Sequence, residues 1–170
     1  MLDSIAMEIW LLRHATAEDR SASGRDADRT LSEDGHKRAR EVARGLAALE
    51  PGIELVLTSP FARARQTAEP VARALKLASR LRETAALEPD ADPEDVLAEI
   101  RAEKSQSVLL VGHEPHMGSL LGRLVAGRPG LAIPMKKAAV ARLSWEGSGP
   151  ATLRALLPAR VLARIGTAEG

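Results

Sequence analysis

A chain of 170 residues and 18.1 kDa suits one domain, 1–170, and its 45% hydrophobic and 28% charged residues exclude a disordered tract, a coiled coil or a collagen-like rod. Cysteine is absent, which excludes disulfides, iron–sulfur clusters, Cys-ligated zinc and every enzyme that attacks through a thiolate. A formal net charge of +1 and only three aromatic residues, Trp10, Phe61 and Trp145, argue against nucleic acid and anionic membrane as partners.

The start, Met1 to Met7, carries Asp3 and no basic region, and no apolar run reaches the roughly 18 residues of a spanning helix. A cytoplasmic protein is expected, with Met1–Ala6 as a leader outside the fold and Met7 as a candidate native start. Glu8 to Leu12 is a short apolar run that predicts a buried strand, ending at Arg13-His14. Glu18 to Arg29 mixes both signs of charge with Ser and Gly and predicts a mobile surface loop. Ser32 is a candidate N-cap. Ala39, Val42, Ala43, Leu46 and Leu49 then recur at helical spacing up to Pro51-Gly52.

Ile53 to Thr58 predicts a second strand, and Ser59-Pro60 predicts the N-cap and first position of a helix striped by Ala64, Ala68, Val71, Ala72 and Leu75. Pro70 predicts a kink or break in that helix near Ala68. A short helix over Pro93 to Glu103, capped by the Asp90-Ala91-Asp92 segment, precedes the most apolar strand, Ser107 to Val111, which ends in Gly112-His113. Pro115 opens a helix that Gly127 closes, and Ala139 to Trp145 and Thr152 to Leu157 predict two late strands joined by a turn. The pattern is α/β, a mostly parallel central sheet with helices on both faces in three α/β/α layers.

In such sheets, ligands bind beyond the carboxyl ends of the strands. Three predicted strands end in Arg13-His14, in Ser59 running on to Arg63, and in His113. Two imidazoles and two guanidiniums suit an oxyanion such as phosphate, and an imidazole can attack phosphorus while arginines hold the equatorial oxygens. Spacing alone leaves His14 and His113 both open as the nucleophile.

Leu12-Arg13-His14-Ala15-Thr16-Ala17, then Thr58-Ser59-Pro60-Phe61-Ala62-Arg63-Ala64-Arg65-Gln66-Thr67-Ala68, then Val111-Gly112-His113-Glu114-Pro115 resemble, in order and over most of the chain, the histidine phosphatase superfamily with its phosphoglycerate mutase-like fold. The short length and Asp28-Arg29-Thr30-Leu31-Ser32-Glu33-Asp34-Gly35 resemble its compact branch of SixA-type phosphohistidine phosphatases. The resemblance implies that His14 is transiently phosphorylated, that Arg13 and Arg63 clamp the phosphoryl group, that His113 completes the pocket, and that Arg29 adds a phosphate or substrate contact. It also implies a hydrolase with no metal and no cofactor, acting on a phosphorylated protein or a small phosphoester.

Ala15 departs from the glycine usual after the nucleophile, and Glu88 is only the nearest candidate for the acidic proton donor of larger relatives, with Asp90 and Asp92 as competitors. Those two departures support one alternative to a phosphohistidine phosphatase, a phosphate- or phosphoprotein-binding module without turnover; a small-molecule phosphomonoesterase of the same superfamily is the other alternative. The chain is too short to wall in the second phosphate of a mutase. Among the remaining polar residues, His36 is expected on an exposed helix face, and His116 in a structural or rim position rather than as a metal ligand with His113. Lys136-Lys137 reads equally as a solvated pair or as a flank of the pocket mouth. Gly147-Ser148-Gly149-Pro150 lacks the Lys-Ser/Thr ending of a phosphate loop and reads as a turn. Oligomeric state is not legible.

Overall fold

The protein is described over residues 6–168 by a computed structural model. The proposed leader therefore lies, apart from Ala6, outside the described residues. Strands β1 (Met7–Arg13), β2 (Leu55–Thr58), β3 (Leu81–Glu83), β4 (Ser107–Gly112), β5 (Val140–Trp145) and β6 (Thr152–Leu157) form one sheet in the order β3-β2-β4-β1-β5-β6. The pairs from β3 through β1 are parallel, and β5 runs antiparallel to both its neighbours.

Strands buried on both faces explain why β1 and β4 read as unbroken apolar runs rather than alternating ones. Ile9 and Leu11 of β1, with Val108 and Leu110 of β4, pack against Val96, Leu97 and Ile100 of α3 (Pro93–Ala102) and Met117, Leu120, Leu121 and Leu124 of α4 (His116–Ala126). Trp10 and Leu12, with Leu109 and Val111, face the other way. They pack against Ala39, Val42 and Leu46 of α1 (Glu33–Ala48), Ala64, Ala68 and Val71 of α2 (Ala62–Ala74), and Leu162 of α5 (Ala159–Ile165). These are the three α/β/α layers expected from the sequence. Each fully buried Leu or Ile contributes about 1.5–3 kcal/mol, so the double-sided stack outweighs helix propensity in holding the sheet.

The predicted caps of three helices are in place. Ser32 Oγ accepts from the Gly35 amide at the head of α1, Asp92 accepts from the Glu94 amide at the head of α3, and α4 ends at Gly127 with φ of 69°. Four expectations are corrected. Helix α2 begins at Ala62 rather than at Pro60, with Phe61 as its N-cap, because the Ser59 hydroxyl accepts from the Phe61 amide and is drawn toward His113. It continues through Pro70 without a break, since buried Ala68, Val71 and Ala72 pin the chain on both sides of the proline. The sequence reading misses β3 and α5 altogether. His36 is half-buried on α1 rather than solvent-exposed, and it borders a groove with Arg40, Gln66 and Pro70.

Candidate active site

Parallel pairing brings the three polar strand ends together. Arg13 lies opposite Gly112 and Thr58 opposite Val111, so the next residues, His14, Ser59 and His113, emerge side by side from β1, β2 and β4. The His14 amide donates to the Gly112 carbonyl at 2.9 Å, and the Ser59 amide donates to that of Val111 at 3.0 Å, extending the ladder one step past the sheet. The His14 and His113 rings end 5.0 Å apart, centroid to centroid.

His14 is 7% exposed, and its Nδ1 lies 2.6 Å from the carbonyl of Ala15. A carbonyl can only accept, so a neutral His14 carries its proton on Nδ1 and leaves the Nε2 lone pair free. Nε2 in turn accepts from Arg63 Nε at 3.4 Å. Burial, together with the charges of Arg63, Arg13 and Lys137, pushes the His14 pKa down to about 4, so the ring is neutral near pH 7. The imidazole thus presents a free Nε2 lone pair turned toward a guanidinium.

The segment after His14 is built around Ala15, whose side chain is buried in the core and whose φ lies outside the left-handed region. The backbone here does not require glycine. The Ala15 amide donates to Thr67 Oγ1 at 3.1 Å, and that hydroxyl donates to the Arg63 carbonyl at 2.7 Å, which fastens the His14 segment to the first turns of α2. Gly35 of α1 closes against the same segment: a Cβ there would fall 1.9 Å from the Thr16 carbonyl oxygen.

Arg63 is 5% exposed. Besides its Nε contact to His14, its Nη1 donates to the Asp26 carbonyl at 2.7 Å and its Nη2 to the Asp26 carboxylate at 2.9 Å. The loop expected to be mobile surface therefore has a fixed point in the site: Asp26 opens a short 3₁₀ turn, Asp26–Asp28, docked on α2. Arg29, expected as a phosphate contact, donates from Nη1 to the other Asp26 oxygen at 2.8 Å and from Nε to the Glu18 carbonyl at 2.7 Å, one contact removed from Arg63. Arg29 and Arg63 together hold the Asp26 carboxyl below its usual range.

Arg13 donates from Nη1 to the Met135 carbonyl at 2.7 Å, and its Nε has no partner among the described residues. Burial lowers its pKa, and the Glu114 carboxylate opposes that shift. His113 is 1% exposed, with Nε2 2.8 Å from Ser59 Oγ and Nδ1 without a partner among the described residues. Burial first, then the neighbouring His14 and Arg63, push its pKa down to about 3. The Phe61 ring packs edge-on to His113 at 5.2 Å and lies under the Arg63 guanidinium at the same distance.

Glu88 follows the 3₁₀ turn Ala85–Leu87 and is half-buried; the Leu87 carbonyl preceding it sits against Gly112, so the chain carries Glu88 toward the end of β4. Asp92, its competitor, is occupied in capping α3, and Asp90 is exposed. His116 is buried at 2% exposure, which selects the structural position over the rim. Lys137 is exposed yet close enough to lower the His14 pKa. Sequence reasoning misses Asp26, Phe61 and Thr67 as parts of the site. Thr67 had a usable signal, one helical turn after Arg63, and Phe61 is the chain's single phenylalanine, whereas Asp26 is one acid among several in a charged loop.

Comparison with known proteins agrees with this geometry. The sequence pattern of the histidine phosphatase superfamily (branch 1) matches residues 9–88. The chain is 35% identical over 150 residues to the phosphohistidine phosphatase SixA of Escherichia coli (strain K12), covering 86% of this chain and 90% of that one. It is similar to the structure of the protein histidine phosphatase SixA complexed with tungstate, with a TM-score of 0.82 and 31% identity over 91% of this chain and 98% of that chain. Phosphoglycerate mutase from Bacillus anthracis shares the fold at a TM-score of 0.65 and 15% identity, over 96% of this chain and 98% of that chain. An ordered set of strand-end histidines and arginines, a matching sequence pattern and these relatives lead to one assignment: the chain belongs to the histidine phosphatase superfamily.

Proposed function

We propose that the protein is a metal-independent phosphohistidine phosphatase that works through a phosphoryl group carried on His14. The observation that carries this reading is the fixed tautomer of His14, its Nδ1 proton held by the Ala15 carbonyl and its Nε2 lone pair beside Arg63. Nε2 attacks phosphorus, the new N–P bond forms as the bond to the leaving group breaks, and the leaving group departs with the electron pair. Water then attacks the phosphoryl group on His14, releasing inorganic phosphate and restoring the free imidazole. Arg13 and Arg63 stabilise the charge spread over the equatorial oxygens, the role a metal fills elsewhere, and His113 donates to the same group.

The substrate follows from the leaving group. A phosphoester departs as an alkoxide and needs a positioned proton donor, whereas a phosphohistidine with its ring protonated departs as neutral imidazole. Strong oxyanion clamps contrast with the candidate proton donor, half-buried Glu88, which no side-chain hydrogen bond positions among the described residues. That balance, and the similarity to SixA, favour phosphohistidine on a protein over small esters. The test compares a phosphohistidine-bearing protein with an alkyl phosphate on the wild type and on Glu88→Gln. The phosphohistidine is expected to have the higher kcat/KM, and the substitution to impair ester hydrolysis more. Preference for a small ester overturns the substrate, and an absence of turnover on either substrate or on an aryl phosphate turns the assignment to a binding module.

A further inference from the structure

Asp26 is the one acidic residue bonded to the Arg63 guanidinium among the described residues, and it grips a particular edge of it. A guanidinium offers a side-on edge, made of Nε–H and the outer N–H of Nη2, and an end-on edge, made of the inner N–H groups of Nη1 and Nη2. The Asp26 carbonyl takes Nη1 at 2.7 Å and its carboxylate takes Nη2 at 2.9 Å, which occupies the end-on edge. The side-on edge is the one that reaches His14 Nε2 at 3.4 Å. Arg29 fixes the second carboxylate oxygen at 2.8 Å and is itself tied to the Glu18 carbonyl, so the grip is braced from the solvent side.

From this geometry we infer that Asp26 is a positioning residue: by holding the far edge of Arg63 it aims the near edge at the phosphoryl group beside His14. The inference rests on the reading of this pocket as a phosphoryl site. An arginine side chain has four rotatable bonds, and Phe61 beneath its plane restrains tilt without restraining rotation within that plane. The two Asp26 acceptors, one backbone and one side chain, remove that rotation. Their cost is a negative charge near a site for anions, which Arg29 offsets by sharing the carboxylate.

The experiment uses the full chain with Asp26→Ala, Asp26→Asn and Asp26→Glu, and Asp28→Ala as the control, since Asp28 pairs only with exposed Arg25 and Ser23. Turnover of an aryl phosphate and calorimetric binding of vanadate, a mimic of five-coordinate phosphorus, are measured with thermal melts. Misaiming a charge-stabilising group is expected to lower kcat for Asp26→Ala on the order of 10- to 100-fold with little change in KM, and to weaken vanadate binding in step. Asp26→Asn, which keeps an acceptor but loses the charge, falls between, Asp26→Glu recovers part of the loss, and melts stay near wild type. Wild-type kcat and vanadate affinity in Asp26→Ala overturn the inference, as does tighter vanadate binding, which would make Asp26 a competitor for Arg63. A wild type without turnover would count against the phosphatase reading, and the vanadate arm would still decide whether Asp26 aims Arg63.

Discussion

The ends of β1 and β4 each deliver a buried, neutral histidine to the same pocket, yet their surroundings give the two rings different capacities. At the end of β1 the chain turns so that His14 binds the carbonyl of its own neighbour, which fixes the proton on Nδ1 and exposes Nε2 as a lone pair. At the end of β4 the His113 ring spends Nε2 on Ser59 and keeps Nδ1 without a partner among the described residues at a position 1% exposed. One residue type thus presents a free lone pair at one strand end and a hydroxyl-bound ring at the other, and the difference is set by the residues that follow the strands rather than by the strands themselves.

The largest expected effect breaks this pairing outright. His14→Ala removes the nitrogen held as a free lone pair against the Arg63 guanidinium and should abolish turnover in a folded protein. Arg13→Ala or Arg63→Ala should each cost on the order of 100-fold or more in kcat, the scale of losing a preorganised charge-stabilising donor. Steady-state rates with circular dichroism as the folding control check both, and wild-type-like rates in His14→Ala would reverse the roles of the two rings.

A smaller effect sharpens the contrast from the β4 side. Ser59→Ala leaves His113 Nε2 without its hydroxyl partner and should lower kcat/KM by roughly 2- to 10-fold, the worth of one neutral hydrogen bond. A loss as large as that of His14→Ala would mean that His113 carries the phosphoryl group.

The mildest test is pH. Both histidines titrate lower in the folded protein, His14 at about 4 and His113 at about 3, than the ~6.5 of an unfolded chain. Above ~6.5 neither state takes up protons at these rings, and the two contribute no slope. Between ~6.5 and about 4 the unfolded chain binds protons that the native one resists, so stability falls as pH falls. The urea midpoint should drop from pH 7 to pH 5 while kcat/KM holds level over the same interval, its acid limb lying nearer 4. His14→Asn should flatten the stability slope in part, leaving the shares due to His113 and to buried His116, whose pKa burial also lowers.

Legibility in the sequence followed the range of the interaction. Strands β1 and β4 were readable because burial on both faces leaves continuous apolar runs, and α1 and α4 because each shows one stripe. Leu81-Arg82-Glu83 of β3 holds a single half-buried apolar residue on an edge, too short for any period, and seven-residue α5 offers one buried contact, Leu162. Within the site, the four clamp and imidazole residues end or follow strands and could be found by position. Asp26 could not, since its role depends on a tertiary approach across 37 positions to Arg63. Ser59 misled in an instructive way: its hydroxyl had the chemistry of a cap, and the fold turned it toward His113 instead.

Thr67 shows what the site demands of protein engineering. Its hydroxyl accepts from the Ala15 amide and donates to the Arg63 carbonyl, making it a rivet between the loop after His14 and the helix that carries Arg63. Valine has nearly the same shape and would suit a position with no exposure, so a volume-based redesign of the core would choose it readily. It would leave a buried amide without an acceptor, at about 1–3 kcal/mol, and free the loop that sets the His14 tautomer. At this position the alphabet of acceptable residues is written by hydrogen bonding, and a sequence optimised for packing alone would gain nothing in the core while loosening its own chemistry.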